Sequence, residues 1–222
     1  MSIEQNVRDL QQRIARACEK TGRSPDRVKL VAVSKTVDAS AVEAAFHAGI
    51  KDFGESRVQE SKPKIEHLQN LKPHITWHLI GHLQSNKART AADIFDIIHS
   101  VDSLKLAKVL NDCSQRRLPV LIQVNISAEE TKGGFALSQV NEAVREIGAL
   151  PNLEIQGLMT IAPLVDNAEE VRPFFRQLRQ IRDALGLRHL SMGMSDDFEV
   201  AIEEGATLVR LGRAIFGERS GA

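Results

Sequence analysis

Lys35 is the side chain on which the most chemistry can be built. It closes the run Leu30-Val31-Ala32-Val33-Ser34-Lys35-Thr36, which reads as a buried strand ending on an amine. Strand side chains alternate, so Lys35 shares a face with Val31 and Val33 and should point toward the core. Lysine is rarely buried without cause. Desolvation lowers an amine's pKa and makes it a nucleophile able to form a Schiff base with a carbonyl compound. Within the segment alone a second reading stays open, a strand-end lysine whose ammonium snorkels to water.

Two later segments offer a place for an anion: Ser191-Met192-Gly193-Met194-Ser195-Asp196-Asp197 and Leu208-Val209-Arg210-Leu211-Gly212-Arg213-Ala214. Glycine removes the Cβ that blocks close approach of a phosphate, and Ser195 can offer a hydroxyl while opening a helix near Asp197. Ordinary turn glycines and an ordinary helix cap explain the same residues. Arg210 has the parity of Leu208 and Gly212, opposite to Thr207, Val209 and Leu211. A cation inside an apolar strand needs a carboxylate, a phosphate or a ring acceptor. If Arg210 points inward, it faces the cavity that Lys35 faces. Arg213 either clamps phosphate or lies in solvent.

Other polar residues are less specific. His74, His78 and His82 recur every four residues, but Ile75–Ile80 is strand-like and ends at Gly81, so helical spacing does not apply and no metal site is expected. Gly81–Lys87 reads as a loop opening a helix, with Ser85 or Asn86 as cap or ligand contact. Lys132-Gly133-Gly134-Phe135 reads as a flexible loop with a solvated lysine. In Val120–Ile126, Gln123 and Asn125 lie on the face opposite Val120, Ile122, Val124 and Ile126. They either line a ligand mouth or satisfy each other inside the fold.

The elements that must position these groups alternate. After an amphipathic opening helix (4–21), eight short apolar runs occur at 30–34, 52–54, 75–80, 94–99, 120–126, 153–158, 189–192 and 207–211. Helical patterns at 39–48, 58–68, 104–115, 137–149, 168–185 and 197–204 separate them. Strict alternation implies parallel strands with crossover helices, and eight units predict an α/β fold, a single (β/α)8 TIM-type barrel with an extra N-terminal helix. The alternative is an open doubly wound sheet. In such a barrel the working residues stand at the carboxyl ends of the strands, and phosphate binds after strands seven and eight.

Composition narrows the partners. The 222 residues, 42% hydrophobic, suit one sizeable core. The 29 basic and 29 acidic side chains cancel without a polybasic block, which argues against nucleic acid or an anionic membrane. There is no apolar leader and no membrane-length apolar stretch, so a soluble cytoplasmic protein is expected. Cys18 and Cys113 fit a reducing compartment. The chain contains no tyrosine, which excludes a phenol as acid or base.

Six segments, taken in order, resemble the pyridoxal phosphate homeostasis protein family. They are 31–35, Phe53-Gly54-Glu55, 77–87, Gly157-Leu158-Met159, 192–197 and 209–217. The resemblance implies one alanine-racemase-like barrel domain over 1–222 that holds pyridoxal 5'-phosphate as an internal aldimine. By position, Lys35 resembles the Schiff-base lysine. Ser195, Gly212 and Arg213, with Met194 beside them, resemble the phosphate-binding group, and Arg210 the residue facing the pyridine nitrogen. An arginine there favours the unprotonated ring, a poorer electron sink than one facing a carboxylate. The chain departs from the family at Ser56-Arg57, where Asn-Tyr usually follows Gly-Glu, so a contact made by asparagine falls to a serine that replaces it only in part.

The implied role is a monomeric, non-catalytic binder that stores, buffers or delivers the cofactor, with cofactor-requiring apo-enzymes as recipients. An amino-acid racemase is the alternative. It needs a second base opposite Lys35, which in alanine racemase is a tyrosine from a separate β domain. This chain has neither the tyrosine nor the length for that domain. A barrel enzyme acting on a phosphorylated sugar explains the phosphate loops but not Arg210.

Overall fold

In the computed structural model, which describes residues 2–129 and 131–217, short β-branched runs alternate with helices. The strands are β1 (Lys29–Val33), β2 (Asp52–Glu55), β3 (Thr76–Leu79), β4 (Ile97–Val101), β5 (Leu118–Asn125), β6 (Phe135–Ala136), β7 (Leu153–Met159), β8 (His189–Ser191) and β9 (Leu208–Leu211). The helices are α1 (Ile3–Glu19), α2 (Ala39–His47), α3 (Val58–His67), α4 (Ala88–Ile94), α5 (Leu104–Cys113), α6 (Val140–Gly148), α7 (Arg172–Ala184), α8 (Phe198–Glu203) and α9 (Arg213–Phe216). The order β4-β3-β2-β1-β9-β8-β7-β5 is parallel throughout, and β4 pairing with β5 closes an eight-stranded barrel. This is the expected (β/α)8 barrel; the two-residue β6 is an addition on the edge of β5.

All eight expected runs become barrel strands. The fourth is displaced, because Ile94 is the last residue of α4 and packs against the core, so that β4 starts only at Ile97. Asp96 fixes this entry by accepting the Trp77 N–H at 2.7 Å.

Alternation divides the core in two. Outward side chains such as Ala32, Phe53, Trp77, Ile98, Ile122 and Val209 are buried beneath the helices. Each fully buried large side chain of this kind contributes about 1.5–3 kcal/mol. Inward side chains Val31, Ile97, Leu121, Met159 and Leu208 form a small separate cluster inside the barrel. The extra helix α1 is capped by the Ser2 hydroxyl, which accepts the Gln5 N–H at 3.2 Å. Its stripe Val7, Leu10, Ile14, Ala17 and Cys18 is buried, as helical periodicity requires. It packs on α8 and α9, where Asn6 donates to the Ile215 carbonyl and Arg13 grips the Glu199 carboxylate.

Candidate functional site

Above the apolar plug, at the carboxyl ends of the strands, lies a cavity of about 960 Å³. Lys35, Met194, Ser195, Arg210, Gly212 and Arg213 all line it. The structure thus brings together the six residues to which the resemblance gives cofactor contacts.

Lys35 keeps the parity of Val33, which lines the same cavity, but it does not close the strand. β1 ends at Val33, and Lys35 sits half-buried in the following turn. The turn is anchored from beneath. The Ser34 hydroxyl donates to Glu55 at 2.7 Å, and the Lys64 ammonium donates to both Glu55 (2.8 Å) and the Ser34 carbonyl (2.7 Å). Lys64 and Glu55 are nearly inaccessible to water, and removing one partner of such a pair costs about 3–5 kcal/mol. Thr36 has φ 64°, a left-handed conformation that is costly for a β-branched residue.

The loop after β8 is organised by Asp197, not by Ser195. The buried Asp197 carboxylate accepts the Met194 N–H at 2.5 Å, and the N–H groups of Asp197 and Phe198 return to the Met194 carbonyl. Burial raises the pKa of Asp197, against the opposing pull of that hydrogen bond and of Arg210. Ser195 therefore keeps both its hydroxyl and its N–H without protein partners among the described residues. Gly193 takes the second of its two readings, an ordinary turn glycine. Its φ is 92°, and an added Cβ would lie 2.6 Å from the Ala201 Cβ, so its missing side chain makes room for α8 and not for an anion. A Cβ on Gly212 would press on the Val33 carbonyl oxygen at 3.2 Å. Arg213 neither lies free in solvent nor waits open: it pairs with the exposed Asp196 at 2.6 Å.

Arg210 points inward, with its register partner Val31 beside it. It donates to the Ser191 hydroxyl at 2.7 Å and to the Thr160 carbonyl at 2.8 Å, which uses only part of a guanidinium's five N–H groups. Burial pushes its pKa down to about 10, partly offset by Asp197, so it stays protonated at neutral pH.

From Arg210 a buried chain of hydrogen bonds crosses the barrel. Ser191 Oγ meets His99 Nδ1 at 2.9 Å, His99 Nε2 meets His78 Nδ1 at 2.8 Å, and His78 Nε2 meets Asp52 at 3.0 Å. Guanidinium can only donate and carboxylate only accept, which fixes the two end bonds: Arg210 donates to the Ser191 hydroxyl, and His78 donates through Nε2 to Asp52. Burial, reinforced by His78 and Arg210, holds His99 well below the usual imidazole pKa. Burial alone would raise Asp52, but the His78 hydrogen bond and the Lys29 charge outweigh it and leave Asp52 below the carboxylate range.

Arg210 and His78 were noted separately from the sequence but not as one chain, part of which the inward parity of His99 with Ile97 could have revealed. The three histidines at four-residue spacing are in fact separated. His78 lies inside the barrel, His74 lies near Phe46, and His82 stands exposed at the mouth, bonded to Asp102 at 2.9 Å. Ser85 and Asn86 form a 3-10 turn leading into α4 and make no side-chain caps.

Gln123 and Asn125 satisfy a loop and not each other. Gln123 donates to the Gly133 carbonyl, and Asn125 donates to the carbonyls of Glu129 and Lys132. Nor is Lys132 solvated: it is pinned by Glu129 at 2.8 Å and the Ala162 carbonyl at 3.1 Å. Ser56 and Arg57 line the mouth. Ser56 is held there because its backbone packs where a Cβ on Gly81 would come within 2.2 Å. No helix among the described residues is long and apolar enough to cross a membrane.

Comparison with known proteins agrees with this geometry. Residues 2–220 match the family described as alanine racemase, N-terminal domain. A pyridoxal phosphate homeostasis protein of Aquifex aeolicus is 45% identical, across 94% of this chain and 94% of its own length. Its Escherichia coli counterpart is 44% identical, across 98% and 97%. Among solved structures, PipY of Synechococcus elongatus with PLP bound superposes with a TM-score of 0.81 at 39% identity, covering 92% of this chain and 100% of that one. The chain belongs to the pyridoxal phosphate homeostasis protein family, on the barrel fold of the alanine racemase amino-terminal domain.

Proposed function

We propose that the mouth cavity binds pyridoxal 5'-phosphate and that the protein stores, buffers or delivers it without strong catalysis of its own. The observation that carries this is the convergence of an amine (Lys35), an unpartnered hydroxyl and N–H (Ser195) with Arg213 nearby, and a buried cation (Arg210) on one cavity. These groups fit the cofactor's aldehyde, phosphate and ring nitrogen respectively. Lys35 holds the aldehyde carbon covalently, releasing one water. Ser195 and Gly212 receive the phosphate, and Arg213 reaches it by leaving Asp196. Met194 closes one side, and Ser56 offers a short donor where a longer amide would reach farther.

When bound, the cofactor supplies an electron sink to amino-group chemistry. Arg210 works against that use. Even lowered by burial to about 10, its pKa keeps the guanidinium protonated at neutral pH, so it donates to the ring nitrogen and leaves the ring unprotonated. A racemase also needs a second base across from Lys35. His82, oriented by Asp102, is an imidazole on this rim, but its side chain is 70% exposed.

The proposal includes a monomer, and places it in the cytoplasm, where two buried free cysteines fit a reducing compartment. It also takes cofactor-requiring apo-enzymes as recipients, supported by exposed Ile161, Leu164 and Met194 around the mouth. The test is the absorption spectrum after adding cofactor and desalting. A retained yellow band that is lost in Lys35→Ala, with the fold intact, is expected. A colourless protein overturns the proposal. Loss of optical rotation by alanine at substantial turnover would favour the racemase instead.

A further inference from the structure

A second cavity, of about 670 Å³, opens at the other end of the barrel. Its walls include Lys29 and His189, the first residues of β1 and β8, and Thr207, just before β9, so it faces away from the mouth. Six cationic side chains line it: Arg23, Arg27, Lys29, Arg179, Arg182 and Arg188. Only Asp26 and Glu203 oppose them in the lining. In a chain whose 29 basic and 29 acidic residues cancel, such an accumulation is local.

Most of these cations have structural duties. Lys29 reaches Asp52 at 3.3 Å, Arg179 reaches Glu204 at 3.2 Å, and Arg182 binds Asp183 and the Arg188 carbonyl. Arg23 donates to the carbonyls of Ile202 and Ala206, closing the end of α8. Arg27 and Arg188 differ. Among the described residues neither side chain makes a hydrogen bond or an ion pair, and both line the recess. The crowding is felt by the neighbours: burial first, then Lys29, Arg188 and Arg182, push the His189 pKa down. Burial likewise lowers Arg23, with Arg182, Arg27 and Arg179 adding to it.

We infer that this cavity is an anion-binding site for a small molecule carrying a phosphate monoester or diphosphate. Two unengaged guanidinium forks supply charge and paired donors for phosphate oxygens, and the partly engaged cations behind them supply a focused field. A recess of this volume holds a small organic body as well as the anion. Conservation of fold at the amino-terminal face of a barrel requires no such cluster, since that face ordinarily serves stability.

The test is calorimetric titration of the full chain with inorganic pyrophosphate. The wild type should bind saturably, with one equivalent at this end of the barrel, and Arg27→Ser with Arg188→Ser should weaken that equivalent by about tenfold or more for each guanidinium removed. Arg145→Ala, a surface arginine outside both cavities, should leave the affinity unchanged, whereas loss of binding in Arg213→Ala would put the anion at the mouth. Neither substituted arginine makes a side-chain bond, so the double variant should melt like the wild type. If it does not, Arg27→Gln and Arg188→Gln read the same loss singly. The inference is overturned if the wild type shows no saturable binding, if the double variant binds equally well, if Arg213→Ala abolishes binding, or if only long polyanions such as heparin bind.

Discussion

Replacing Ser191 with alanine removes one oxygen from the middle of the barrel's polar chain. That oxygen accepts from the Arg210 guanidinium at 2.7 Å and joins His99 Nδ1 at 2.9 Å, and all three residues are buried. Alanine creates almost no cavity, so the effect is the cost of two groups left unpaired. A buried polar group without a partner costs about 1–3 kcal/mol, and more when charged, which gives roughly 3–5 kcal/mol for the pair. At about 2–4 °C per kcal/mol for a chain of this size, the melting temperature should fall by roughly 6–20 °C. The control is Ser100→Ala. Ser100 is equally buried, but its hydroxyl has no hydrogen-bond partner among the described residues, so its removal should be neutral or slightly stabilising. Thermal unfolding followed by circular dichroism compares the two. If Ser191→Ala melts within about 2 °C of the wild type, or both variants shift alike, the chain does not hold the barrel as described.

The same chain sets a pH dependence. An unfolded histidine takes up a proton near pH 6.5, whereas native His99 resists it, so the stability His99 provides is complete above that value and falls by about 1.4 kcal/mol per pH unit as acid is added. His99→Gln should flatten denaturation midpoints between pH 6.5 and 5; an unchanged slope would assign the acid sensitivity elsewhere. At the mouth, Asp196→Ala frees Arg213 from an exposed ion pair worth up to about 1 kcal/mol, so cofactor affinity by spectrophotometric titration should rise by up to about fivefold. A weaker affinity in that variant would remove Arg213 from the phosphate group.

What could be read in the sequence was whatever local alternation encodes. The runs at 30–34 and 207–211 gave both the strands and the inward parity of Arg210, because a period of two is visible within five residues. Eight such runs separated by helical patterns leave few topologies, and the barrel followed. The chain Asp52–His78–His99–Ser191–Arg210 was not readable in this way. Its members come from β2, β3, β4, β8 and β9, and only barrel closure brings Ser191 to His99, 92 positions away. The amino-terminal cavity stayed hidden for a related reason. Arg179 and Arg182 resemble the solvent face of an amphipathic helix until the loops carrying Arg27 and Arg188 fold against them. Gly193 kept two readings because a glycine beside an anion loop and one beside a packed helix look alike before α8 is placed.

The central claim is that the Lys35 amine and the Ser195–Gly212–Arg213 loops hold one molecule between them. Borohydride reduction of the protein after incubation with pyridoxal 5'-phosphate, followed by peptide mass mapping, addresses it directly. The account predicts a single phosphopyridoxyl adduct on Lys35, lost when Ser195 and Arg213 are both replaced by alanine. An adduct spread over surface lysines, or one on Lys35 indifferent to those two substitutions, would contradict it.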